Sequence, residues 1–310
     1  MPSSMTVSAL HVHPVKSCRR VEVDRATVGP YGLVGDREWQ VAGLDGHRLT
    51  QRTHPRLALV QPTFLESGLR LSAPDVGVLE VARPTVADVE VTVFLGTVRL
   101  ADAGDEAARW FEGVLGEPCR LQAMTAGYER RLPEPVDIFG QEVALGDAAP
   151  VLVVSESSHR FLADRASQPF GIDRFRPNVV VAGSKPWEED TWVSFTVGRA
   201  TMRTGLPWPR CTVPQVDQDT GRRGKEPAVV LKANRWCKAA PTVAPPFAEV
   251  LRGSALFGIG CAAGPAGTVI AVGDDVTVLE TAEPLIPAPL EARPFTRQVG
   301  RHRHAPECGF

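Results

Sequence analysis

The chain has 310 residues and a mass of 33.4 kDa, enough for one large domain or two ordinary ones with a core that needs no disulfide or structural metal. Its 34 Lys and Arg nearly balance 36 Asp and Glu, leaving a formal charge of -2 that draws neither nucleic acid nor an anionic membrane to the whole surface. The 28 Gly and 27 Pro argue against an all-helical bundle, and no apolar run approaches the ~20 residues of a membrane-spanning helix.

The first hundred residues read as short strands. Leu10 and Val12 alternate with His11 and His13, and Val21 and Val23 with Glu22 and Asp24. Similar runs follow at 57–60, 69–71, 78–81, 89–94 and 98–100, with turn residues between them. Ala107, Trp110, Phe111 and Val114 then fall at helical spacing, after Asp105 and Glu106 and before Gly116 and Pro118, which predicts one amphipathic helix. The polar stretch 125–147 reads as a linker.

A second half restarts with the apolar strand 151–154, after which Ser155 offers an N-cap for a short helix carrying Phe161 and Leu162. Strands are expected at 178–182, 192–197 and 201–204. A polar turn over 217–224 leads into the apolar run 229–231. The last hairpin is expected from 267–271 and 276–279, with Gly273 and Asp274 at its turn. The expected architecture is mainly β with some α, an N-terminal β-barrel region over 1–125, a second β-barrel domain over 126–280 and a Pro-rich flexible tail over 281–310.

Six cysteines, Cys18, Cys119, Cys211, Cys237, Cys261 and Cys308, form no CxxC pair and are scattered as in a chain from a reducing compartment. The N-terminal residues lack a basic start followed by an apolar block, so no secretory leader is expected and a cytoplasmic location is. Three segments concentrate reactive chemistry. In PWPRC, Cys211 follows Arg210 and is boxed in by Pro207 and Pro209, an arrangement suited to a thiolate as metal ligand or nucleophile; a buried loop cysteine is the commoner outcome of such a pair. In FRPN, Arg176 and Asn178 share one face at a strand start, where a guanidinium suits phosphate, although an edge salt bridge is the commoner outcome for such a fragment. In HPVKSC, Lys16 and Ser17 offer an ammonium and a hydroxyl between two strands, and Arg37 of GDREW adds a third cation; the segment is not a P-loop.

Taken in order, HPVKSC, GDREW, LTQRTHPRLALV, DAGDEAARWF, RFRPNVVVAG, WEEDTW, RC followed by VDQDTGRRGKEP, and GTVIAVGDDV resemble the MOSC-domain proteins with an N-terminal MOSC β-barrel region. Within them the chain looks most similar to the amidoxime-reducing-component and YcbX-type molybdoenzymes, over roughly residues 5–280. The resemblance implies a molybdopterin-type molybdenum cofactor, with Cys211 as the thiolate ligand of molybdenum and the catalytic residue, consistent with the softness of thiolate for a metal already held by sulfur. It also implies cofactor contacts from Lys16, Ser17, Arg37, Arg176, Asn178, Arg210 and the stretch Asp147, Ala148 and Ala149. The two alanines replace hydroxyl residues, so only backbone contact is expected there. Pro209 replaces a serine, and Gly260 removes a side chain near the metal, which is expected to widen the pocket. The tail lacks the clustered cysteines of a fused iron–sulfur domain.

What the resemblance implies is a molybdenum oxidoreductase that reduces N-hydroxylated compounds, such as amidoximes, hydroxylamines or N-hydroxylated bases. Its electrons would come from a separate flavin, iron–sulfur or cytochrome partner. The alternatives are a molybdenum-cofactor carrier or sulfur-delivery module without redox turnover, disfavoured by the lack of an aminotransferase-like region, and a metal-free structural protein. His11 and His13 could ligate zinc but lack a third ligand, and His302, His304 and Cys308 read as part of the tail.

Overall fold

The computed structural model describes residues 4–134, 137–238 and 247–289. Its backbone is mainly β, as the patterning predicts. The largest sheet has eight strands in the spatial order Val276–Thr281, Trp192–Val197, Ala200–Pro209, Leu256–Gly264, Val151–Ser155, Val179–Ala182, Thr6–Val12 and Val21–Val23. Neighbours are antiparallel except Val151–Ser155 and Val179–Ala182, which are parallel and joined through the helix Glu156–Ala163. Ser155 caps that helix by accepting from the Ser158 N–H, so the sequence signal for its start holds.

The N-terminal strands are therefore built into the sheet of the second half. Val7, Leu10, Val28 and Leu33 bury against Val153, Val179, Phe195, Met202 and Ile259 in one core. A second core lies beneath the helix Asp105–Leu115, whose Ala107, Trp110, Phe111 and Val114 pack on Leu69, Leu71, Leu79 and Leu121. The strands Gln61–Leu65, Gly68–Ala73 and Gly77–Ala82 form a meander in this region. Trp39–Gly43, Cys119–Ala123, Gly96–Asp102 and Val89–Val93 form a four-stranded sheet.

Four local expectations are corrected. Residues 57–60 are not a strand: Pro55 opens a 3-10 turn over Pro55–Leu59, which buries Leu57 and Ala58. The run 229–231 lies in the helix Ala228–Asn234, where the Glu226 carboxylate accepts the Val230 N–H at 3.1 Å. The final hairpin has its turn, with the Ala271 N–H donating to Asp274 at 2.8 Å, but its two arms do not pair. Val269–Ala271 pairs with Arg25–Gly29, and Val276–Thr281 pairs with Trp192–Val197.

The fourth is the supposed linker over 125–147. Its described part is irregular but closely packed, with Tyr128, Leu132, Phe139, Val143 and Leu145 buried. The buried Arg130 supplies the hydrogen bonds a ladder would otherwise make, donating to the carbonyls of Ala144 (2.6 Å), Gly146 (2.9 Å) and Phe94 (2.7 Å). The tail beyond 289, with His302, His304 and Cys308, lies outside the described residues.

Candidate functional site

The candidate residues meet where the first strand, the strap 143–149 and the end of Ala200–Pro209 converge. Three of them share an uncommon backbone. Ser17 (φ 68°), Arg37 (φ 52°) and Arg176 (φ 56°) are left-handed, three of only six such non-glycine residues among the described ones. A non-glycine residue held there costs of order 1–3 kcal/mol and persists only where the surroundings impose it. Here they do. The Arg37 N–H donates to the His13 carbonyl (2.7 Å), the Arg37 carbonyl accepts from Leu145 (3.0 Å), and the Arg176 N–H closes on Asp173 (2.9 Å).

Arg37 is the hub. Its guanidinium pairs with Asp36, reaches the Asn178 side-chain oxygen (3.3 Å) and donates to the Arg176 carbonyl (3.1 Å). Asn178 is spent inside the fold: its oxygen also accepts from the Leu152 N–H (3.1 Å), and its amide donates to the His11 carbonyl (3.2 Å). It is thus a zipper between three strands that orients Arg37. Arg176 donates one nitrogen to the Cys18 carbonyl at 2.5 Å and forms no ion pair among the described residues, so the edge salt bridge is excluded there. Its other terminal nitrogen is buried without a partner, as is Arg210 Nε. Arg210 donates instead to the Phe175 carbonyl, one residue from Arg176.

Buried cations this close depress one another. Burial, with Arg37 adding to it, pushes Arg176 down to about 9, and burial pushes Arg210 down to about 10. Lys16 is lowered to about 8 by burial, against the opposing pull of Asp147. Its ammonium is held by the Leu145 carbonyl (2.7 Å) and Asp147 (2.8 Å), and Lys16 in turn draws the Asp147 carboxyl well below the usual carboxylate range. Ser17 is buried with its hydroxyl free of hydrogen bonds among the described residues, while its carbonyl accepts from Gln51 at 2.7 Å. Beside Arg176 lies a polar surface formed also by His13, Arg19, Arg20, Asp173 and Gln218. His13 is buried and held well below its ordinary value by desolvation and by Arg176, so it stays neutral under the cations.

Of the five described cysteines only Cys211 is exposed. It comes off the end of Ala200–Pro209, where the Arg210 N–H is fixed on the Ala255 carbonyl (2.8 Å). The expectation that Gly260 widens the pocket is overturned. A Cβ on Gly260 would lie 2.6 Å from the Trp208 ring and 2.9 Å from the Ala149 Cβ, so an indole already fills that space. Gly260→Ala is therefore expected to force the ring aside and lower stability by about 1–3 kcal/mol, read as a drop in denaturation midpoint. An unchanged midpoint would contradict the packing.

Sequence reasoning missed the parts that hold the site together. Gln51 and Gln218 form a reciprocal amide pair, 3.1 Å in both directions, that clamps the VDQDTG loop to the N-terminal half. Both residues stand in segments that look distinctive in the sequence, but nothing in either segment pairs them. Asp36, next to Arg37, anchors the His13 N–H at 2.8 Å.

The chain matches the description "MOSC N-terminal beta barrel domain" over residues 4–118 and "MOSC domain" over residues 140–277. It belongs to the MOSC family. Among its relatives, mitochondrial amidoxime reducing component 2 of Bos taurus is 36% identical over 268 residues, covering 82% of this chain and 77% of that protein. The Homo sapiens protein of the same name is 34% identical over 267 residues, covering 82% and 78%. Mitochondrial amidoxime-reducing component 1 of Homo sapiens is 32% identical over 244 residues, covering 75% and 72%. No helix among the described residues of this MOSC chain is long and apolar enough to cross a membrane.

Proposed function

We propose that this MOSC protein is a molybdenum-cofactor-dependent reductase of N-hydroxylated compounds. The observation that carries the reading is the set of unmet buried donors. Arg176 and Arg210 each keep a buried nitrogen unpartnered and lie close enough to Arg37 to feel its charge, and Arg176 adjoins Arg19 and Arg20. Groups so arranged are satisfied by an anion, and a phosphate accepts several charge-assisted bonds at once. The exposed Cys211 thiol stands beside them. No three His, Cys, Asp or Glu converge among the described residues, so a metal at Cys211 would draw its other ligands from a cofactor.

Arg176, Arg210, Arg37 and the Ser17 hydroxyl would hold the phosphate and pterin end, with Arg19, Arg20 and Gln218 beside Arg176. The Lys16–Asp147 pair positions the strap 147–149, which offers backbone groups at Ala148 and Ala149. Asn178 and Asp36 orient Arg37. When bound, the molybdenum centre would supply two electrons, which with two protons would break the N–O bond and release water. The electrons would come from a separate flavin, iron–sulfur or cytochrome partner. The scattered cysteines, with no CxxC pair, support a reducing compartment such as the cytoplasm.

The test is elemental and pterin analysis of natively expressed protein, followed by benzamidoxime reduction with a chemical reductant or a flavin–iron–sulfur system. Molybdenum with turnover supports the reading, molybdenum without turnover leaves the carrier role, and metal-free protein refutes both. Arg176→Ala is expected to purify folded with cofactor retention weakened about tenfold or more, the worth of one charge-assisted bond. Full molybdenum occupancy in Lys16→Ala, Arg37→Ala and Arg176→Ala alike would refute the assignment.

A further inference from the structure

The strand Ala200–Pro209 brings a second large feature to the same mouth. Trp208, three residues before Cys211, is only partly buried, resting on the cluster that contains Leu152, Val154 and Phe257. One edge of its ring is clamped, because the missing Cβ of Gly260 leaves room that the ring occupies and Ala149 closes from the other side. Trp39, Trp110, Trp187 and Trp192 are buried, at 8% exposure or less. The open part of the Trp208 ring is thus an apolar surface held in place, two residues from Arg210 and three from the exposed Cys211 thiol along the chain. A clamped indole with an open face is a stacking platform for a flat, delocalised ligand.

Resting on the reading above, we propose that Trp208 is a specificity-determining residue. It stacks planar aryl amidoximes and N-hydroxylated bases beside Cys211 and favours them over compact aliphatic hydroxylamines. Gly260 and Ala149 are then small because a larger residue at either place would displace the ring. The space lost to a side chain on residue 260 is recovered by a rigid aromatic wall that approaches from the thiol's own strand.

The experiment compares the native protein with Trp208→Ala and Trp208→Phe, first by molybdenum and pterin content, then by kcat and KM for benzamidoxime and N-methylhydroxylamine. Tryptophan fluorescence is titrated in parallel with benzamidine, a non-reacting planar ligand. Trp208→Ala is expected to raise the benzamidoxime KM about tenfold relative to that for N-methylhydroxylamine, with Trp208→Phe recovering most of the loss. Benzamidine is expected to quench the native protein and not the variants. An unchanged substrate ratio, equal quenching in all three proteins, or pterin loss in Trp208→Ala without a change of selectivity would overturn the proposal. Native protein without molybdenum would refute the cofactor reading alone, since the quenching measurement needs no metal and decides the role of Trp208 by itself.

Discussion

Cys211→Ala is expected to abolish benzamidoxime reduction and to leave the fold intact. The thiol is exposed, so its removal opens no cavity, and a surface change of this kind shifts stability by no more than about 0.5 kcal/mol. The backbone around it is fixed independently: the Arg210 N–H is on the Ala255 carbonyl, and Thr212 leads into the turn Val213–Gln215. A loss of activity therefore reports chemistry rather than unfolding. If Cys211 donates its thiolate to molybdenum, the Mo(V) resonance of the variant changes as well. Cys261→Ala is the control. Cys261 is completely buried in the main core with its thiol pushed up to about 12, so it is unreactive, and its replacement lowers stability instead of activity. Undiminished turnover with an unchanged spectrum in Cys211→Ala would remove the thiol from the site.

Residues 126–310 expressed alone are expected neither to fold stably nor to retain cofactor. The fragment lacks Thr6–Val12, a strand hydrogen-bonded on both sides in the intact sheet, and Arg25–Gly29, the partner of Val269–Ala271. Val7, Leu10, Val28 and Leu33 leave the core with them. At roughly 1.5–3 kcal/mol for each buried aliphatic side chain, that loss rivals the ~5–15 kcal/mol by which a whole domain is stable. Val179–Ala182 would also become an open apolar edge, a template for aggregation. Lys16, Ser17, Cys18 and Arg37 go too, and with them the carbonyl that holds Arg176. A soluble, cooperative unfolding transition with stoichiometric molybdopterin in the fragment would show the halves to be separable.

What the sequence made legible followed from local rules. The stripe Ala107, Trp110, Phe111, Val114 needs only a period of 3.6, and the cap at Ser155 needs only a hydroxyl before a helical run. The final hairpin failed because a turn signal is local while strand pairing is not. Gly273 and Asp274 make the turn, yet the preceding arm finds its partner at Arg25–Gly29. The run 125–147 read as linker because its strands are replaced by one arginine, and composition does not say which carbonyls a guanidinium will collect. The candidate site was gathered by resemblance more than by chemistry. Left-handed backbone at Ser17, Arg37 and Arg176 carries no glycine to advertise it, and the Gln51–Gln218 pair joins positions 167 residues apart.

That the first strand lies between a local partner and one far along the chain sets an order for the chain's birth. Thr6–Val12 leaves the ribosome early but pairs with Val179–Ala182, and Arg25–Gly29 waits for Val269–Ala271. At about 5–20 residues per second, the first of these meetings comes roughly 10–35 s after the strand emerges. Until then it has only its local partner Val21–Val23, and the cations that gather around Arg176 are still on separate lengths of chain. The binding pocket thus comes into being only after both its early and its late segments have emerged, and any group it takes up must arrive after Arg176, Arg210 and Cys211 have been made.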